Sequence, residues 1–218
     1  ESFGSDNDAP AIPIEVADQL ASVDGIAVIE PDLTARAQIL KADGEPITVT
    51  GGMFGTQYQP DTLSGVELKE GRASVGPDEL VVDKATATRE GFELGGPVSY
   101  STDTGIYTAE LVGTVGTPDS DSFLGTSVVA LDLDTAMDHF GANGLVDEIN
   151  VGITEGADID TVEANIVAAL GSEYEIVDRE MLIEEFQDQI GQFISIFGTG
   201  LLIFAFITAF VAAFIINN

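Results

Sequence analysis

The sequence predicts an α+β fold of mixed short strands and helices, followed by a long helix that continues into a membrane span. Three observations predict it. Short runs of alternating or β-branched apolar residues, such as 97–102 and 127–131, lie between Gly, Pro and Asp turns and have strand character. Short stretches with apolar residues three and four apart open on an aspartate and have helix character. Residues 193–216 contain no charged side chain and are almost all apolar or small. At about 1.5 Å of rise per residue that stretch spans roughly 36 Å, enough to cross a hydrocarbon core of about 30 Å with some tilt.

Residues 1–11 form a polar, flexible lead-in without the apolar core of a signal peptide. Pro13 sits where a first helical turn tolerates it, and Ile14, Val16, Ala17, Leu20, Ala21 and Val23 give a short amphipathic helix ending at Gly25. Residues 25–30 are a strand candidate. A second strand at 35–40 and a third at 46–50 are joined by the turn Ala42-Asp43-Gly44-Glu45, and 51–60, with Gly51-Gly52, is expected to be a loop.

Residues 66–68 and 80–82 are short strands around a loop from Gly71-Arg72 to Gly76-Pro77. Asp83 caps a helix that runs through Ala85, Ala87 and Thr88 to Gly91. The runs 97–102 and 106–115 form a hairpin turning at Asp103-Thr104-Gly105. After a polar loop at 116–125, a strand at 127–131 leads to a helix capped by Asp132 or Asp134, with Leu133, Ala136, Met137 and Phe140 on one face. A strand at 148–153, a helix at 159–170 and a strand at 174–177 complete the soluble part, which has the length of one domain or two small lobes.

Beyond it, Leu182, Phe186, Ile190, Phe193 and Phe197 recur every three or four residues. The organisation expected is therefore a lead-in at 1–11, a folded domain at 12–178, an amphipathic connecting helix at 179–192 and a transmembrane helix at 193–216. No break separates the last two before Gly191, so Leu182, Phe186 and Ile190 are the expected coupling face. Within the span, Ala205, Ala209 and Ala213 fall on one face, with Gly198 nearer its outer end; small residues in register let a neighbouring helix approach closely. A span ending so near Asn218 suggests that further chain follows, and an export signal or first membrane helix is expected before Glu1.

Charge restricts function. Seven Lys and Arg against 38 Asp and Glu give a formal net charge of −31, which repels phosphate backbones and anionic headgroups and excludes nucleic-acid binding. Residues 178–188 hold five acids and only Arg179. Cytoplasmic flanks favour Lys and Arg, so residues 1–192 are expected on the outer side of the membrane. The absence of cysteine excludes a thiol nucleophile or thiolate metal site. The acidic excess also fits a salt-loving source.

Catalytic groups are sparse. His139 is the only histidine, and an ordinary surface or half-buried role explains it better than a Ser-His-Asp triad. Asp119, Ser120, Asp121 and Ser122 have the residue types of a Ca²⁺ loop but lack the Gly and closing Glu of an EF-hand, so a solvated turn is the better reading. Asp132 and Asp134 are better explained as caps than as a catalytic acid and base. No catalytic, cofactor-binding or metal-ligating residue is assigned.

The run Gly71-Arg72, then Gly76-Pro77-Asp78-Glu79-Leu80-Val81-Val82-Asp83, Ala85-Thr86-Ala87, Gly91 and Leu94-Gly95 resembles the extracytoplasmic domain of MacB/FtsX-type ABC transporter permeases, the actinobacterial members most in style. Leu131 to Ala136 with Phe140-Gly141, Val146-Asp147-Glu148-Ile149 and Asp188-Gln189-Ile190 are similar to later parts of that family, so the likeness covers residues 66–216. It implies a two-lobed α+β extracytoplasmic domain between the first and second of four membrane helices, in a multi-pass cell-membrane protein. It also implies a non-catalytic subunit paired with a second permease copy, as a homodimer or pseudo-dimer, and with a cytoplasmic ATPase that alone binds ATP and Mg²⁺. The implied function is mechanotransmission, coupling ATP hydrolysis to export or extraction of a substrate on the outer side. The alternatives are an FtsX-like scaffold that activates a cell-wall hydrolase and an extracellular sensor or adhesin held by one membrane helix.

Overall fold

A computed structural model describes residues 11–60, 63 and 65–177. In chain order the elements are β1 (Ile12–Pro13), α1 (Glu15–Leu20), β2 (Ile26–Asp32), β3 (Thr34–Ala35), β4 (Ala37–Leu40), β5 (Met53–Gln57), β6 (Glu67–Gly71), β7 (Glu79–Asp83), α2 (Lys84–Glu90), β8 (Pro97–Thr102), β9 (Ile106–Gly116), β10 (Ser127–Leu131), α3 (Leu133–His139), β11 (Leu145–Val146), β12 (Glu148–Ile153) and α4 (Ile159–Leu170). The described residues up to Gly171 form one compact unit; 172–177 belong to a second and carry no helix or strand. The fold is mixed α+β, with many short strands and few helices.

Its centre is an eight-stranded sheet in the order β3-β5-β10-β7-β9-β8-β4, with β6 also paired to β9. The long strand β9 organises it. Along one edge it pairs in parallel with β7; along the other it takes β8 with its first half and β6 with its second. A bulge at Val112 shifts the alternation of β9 by one residue, so that Val112 and Val115, three apart, enter the same cluster on the face opposite Leu111. Because both faces are covered, Leu80-Val81-Val82 is apolar without alternation, as in a strand buried on two sides. On one face Leu80, Val82, Leu111, Val129, Leu131 and Tyr100 pack with Ala87 of α2 and Ala136 of α3; on the other, Val81, Val128, Ala130 and Val115 lie under Tyr58, Phe54 and Phe123. A buried aliphatic side chain contributes about 1.5–3 kcal/mol, so these two clusters dominate stability.

A smaller assembly lies beside the sheet. β2 and β12 form an antiparallel ribbon, and α1 and α4 pack together through the buried Val16, Leu20, Val162 and Ile166. Three helices share one start signal, Asp followed by Thr three residues on. Asp83, Asp132 and Asp158 accept hydrogen bonds from the amides of Thr86, Thr135 and Thr161 at 2.8, 3.2 and 3.0 Å. Asp132, not Asp134, is the cap of α3.

Three expectations are corrected. Residues 46–50 are not a strand. The turn closes through Lys41 N to Glu45 O, and a single bridge joins Leu40 to Pro46; Pro46 has no N–H with which to extend the ladder. Residues 51–60 are not simply a loop, because Met53–Gln57 is β5, lying between β3 and β10 and parallel to β10. Residues 174–177 carry strand-forming side chains but no strand, since a strand exists only when another pairs with it. The helix at 179–192 and the span at 193–216 lie outside the described residues; among those described, no helix is long and apolar enough to cross a membrane.

Candidate functional site

Leu182, Phe186 and Ile190, expected to couple, and Gly198, Ala205, Ala209 and Ala213, expected to pack helices, lie outside the described residues. The structure therefore bears on the polar groups of the folded unit, which fall in four places.

The first surrounds His139 at the end of α3. Its Nδ1 is 2.7 Å from the Tyr100 hydroxyl, and its ring stacks on Tyr107 with centroids 3.7 Å apart and planes inclined by 13°. Thr102 and Thr104 donate their hydroxyls to the His139 carbonyl oxygen. Burial pushes the imidazole pKa down, against a smaller opposing effect of Asp138 and Asp132, and burial pushes the Tyr100 phenol up. Nδ1 meets a phenol rather than a serine hydroxyl. The geometry is that of a neutral, buried residue tying α3 to the β8–β9 hairpin, more buried than the sequence suggested.

The second is the loop between β6 and β7, where the motif of Gly71, Arg72 and Glu79 lies. The Arg72 guanidinium grips both oxygens of the Glu79 carboxylate, and Val75 N donates to the same carboxylate at 2.9 Å. Arg72 first, then the Val75 amide, hold the Glu79 pKa down to about 2. A Cβ at Gly71 would collide with the Val112 carbonyl, so glycine is required at that position. At the far end of β7, Asp83 is buried: Oδ1 caps α2, while Oδ2 accepts from Val128 N at 2.9 Å and Ser127 Oγ at 3.1 Å. Asp132 Oδ2 accepts from Gly76 N at 2.9 Å. The motif is thus a scaffold of loop, strand and capped helix.

The third is the loop after β9. Ser120 Oγ accepts from Ser122 N at 3.0 Å and Ser122 Oγ from Gly125 N at 3.1 Å, so these hydroxyls shape the turn. A shallow concavity of about 350 Å³ is lined by Thr117, Ser120, Ser122, Phe123 and Leu124. Among the described residues no group of three or more His, Asp or Glu side chains is placed to hold a metal ion.

The fourth was not legible in the sequence. Where β2 passes into the large sheet, Glu30 and Asp32 meet Asp147 and Glu148, brought together across more than a hundred residues by the antiparallel register. Burial first, then Glu148, raise the Asp32 pKa above the ordinary carboxylate value. The only signal was the paired spacing of acids in Glu30-Pro31-Asp32 and Asp147-Glu148, which says nothing of contact until the strands are matched.

Comparison with known proteins is informative at the level of fold and family. Residues 2–169 match the MacB-like periplasmic core domain family. The structure is similar to that of the periplasmic region of MacB from Actinobacillus actinomycetemcomitans, with a TM-score of 0.63 at 16% identity over 86% of this chain and 89% of that one. It is also similar to the extracellular domain of the noncanonic ABC-type transporter YknZ from Gram-positive bacteria, with a TM-score of 0.52 at 14% identity over 73% and 82%. No curated protein sequence matches the chain.

Proposed function

Since the chain belongs to the MacB-like periplasmic core domain family, we propose that it is the exterior domain of an ABC-transporter permease and transmits the work of a cytoplasmic ATPase to the outer side of the membrane. The observation that carries this reading is the coincidence of the family match over residues 2–169 with a shared fold over 86% of the chain. The wealth of acidic side chains before the expected span agrees with an outside location.

In this reading the domain performs no chemistry of its own. ATP and Mg²⁺ are bound by the partner ATPase, and a second permease copy completes the assembly. The large sheet and the β2–β12 assembly act as two lobes, each held by its own packed core. Leu182, Phe186 and Ile190 form the coupling face on a helix continuous with the span at 193–216, while Gly198, Ala205, Ala209 and Ala213 seat that span against a neighbour. A ligand or nucleotide state shifts such a device only through its different affinity for two arrangements.

The test is co-purification of the full-length membrane protein with an ATP-binding cassette ATPase, followed by reconstitution in vesicles. The expected result is a stable complex whose ATP hydrolysis continues in a Leu182→Asp variant while substrate movement is lost. Recovery of the full-length protein with no ATPase, or with a secreted cell-wall hydrolase as the acting partner, would overturn the transport reading.

A further inference from the structure

Very little chain joins the β2–β12 ribbon to the large sheet. Leu33 alone separates β2 from β3 of the large sheet, and Asp147 alone separates β12 from β11, which pairs with β1 rather than with the large sheet. At this joint the register sets Glu148 directly opposite Asp32 and Asn150 opposite Glu30, so Glu30, Asp32 and Glu148 share one face of the ribbon. Asp147 sits at the foot of the same rung: its amide donates to the Asp32 carbonyl at 2.9 Å, and its carboxylate accepts from Thr34 N at 2.7 Å. Glu30 is buried and accepts from Leu63 N at 2.6 Å. The charged groups acting on Asp32 are Glu148, Glu30 and Asp147, all of its own sign, and no Lys, Arg or His among the described residues joins them. From β5, the neighbouring strand, comes only the neutral Gln57, whose Nε2 donates to the Pro31 carbonyl at 2.9 Å.

Like charges directly opposed across two strands destabilise the pair. From this arrangement we infer that the Asp32–Glu148 rung is a proton-operated latch on the joint between the ribbon and the large sheet. With one proton taken from water and held as an O–H···O bond between the two carboxyls, the rung closes. With both ionised, repulsion loosens the first rungs of the β2–β12 ladder, and the ribbon gains freedom about Leu33 and Asp147. The raised proton affinity of Asp32 has the matching sign. A carboxyl that binds its proton more tightly folded than unfolded adds stability as the pH falls through its raised folded value and loses it as the pH rises. The latch rests on the geometry of the folded unit and not on the transport reading, so either can fail without the other.

Hydrogen–deuterium exchange on the full chain tests it, between about pH 4 and pH 8 at one fixed ionic strength of about 0.1 M, so that screening stays constant without removing the repulsion. The readout is protection of the β12 amides relative to the β10 amides in the same sample, which cancels the intrinsic pH dependence of exchange. The expected result is relative protection of β12 that rises several-fold as the pH falls, and an Asp32→Asn variant whose protection is high and independent of pH. Glu148→Gln removes the opposed charge but leaves Asp32 buried, so it should weaken the pH response without abolishing it, and an unweakened response would count against the rung even if Asp32→Asn folds poorly. Relative protection that is flat with pH in the unaltered protein, or a pH response that survives both substitutions, would overturn the latch.

Discussion

Asp83 shows how much one side chain can hold. Its carboxylate caps α2 with one oxygen and with the other satisfies the amide of Val128 on the neighbouring strand. Replacing it by alanine removes a cap worth about 1 kcal/mol and strands a buried donor at about 1–3 kcal/mol. Urea unfolding is expected to report a loss of about 2–4 kcal/mol for Asp83→Ala and a smaller loss for Asp83→Asn, which keeps an acceptor at the cap. His139 supplies a pH test. Its pKa is lowered on folding by burial, so the unfolded chain binds the proton first. Stability is therefore full above the unfolded value of about 6.5 and falls as the pH drops from there towards the lowered folded value. Denaturant titrations on either side of that window should show a larger acid loss in the unaltered protein than in His139→Gln; equal losses would mean the imidazole does not carry the effect.

Elements differ in how plainly they could be read. The helices at 84–90, 133–139 and 159–170 and the strands at 127–131 and 148–153 stand where their patterns placed them, because each carries its own start signal or apolar run. β5 is different. Met53-Phe54-Gly55-Thr56-Gln57 has no alternation and follows two glycines; it becomes a strand because β10 offers it a parallel edge. Its glycine has a purpose that only packing reveals, since a Cβ at Gly55 would strike the Phe140 ring and come within 3.0 Å of the Ala37 methyl. Gly55→Ala is expected to lower stability by about 1–3 kcal/mol through overpacking, seen as a lower midpoint in thermal unfolding. A companion Phe140→Leu change, which relieves the collision, should recover part of the loss. Of the four polar places, the Arg72–Glu79 motif was visible as a run of residues, though its bidentate grip was not, and the carboxylate joint was not visible at all.

At the scale of the whole molecule, charge is the controlling quantity. A net charge of −31 on 218 residues makes the folded state repel itself. Raising the salt from about 0.1 M to about 1 M shortens the screening length from about 10 Å to about 3 Å. The unfolding temperature of the full chain is therefore expected to climb steadily with KCl over this range; no change with salt would mean the acidic side chains lie too far apart to matter.

The sequence by itself determined the acidic composition, the positions of most helices and strands, the Asp83 cap and the family, because each depends on residues close together in the chain. Only the tertiary structure decided that Met53–Gln57 is a strand, that His139 is locked between two tyrosines, and that Asp32 faces Glu148. These depend on strand pairing between distant segments, and pairing register is set by the packing of a whole core rather than by any local pattern.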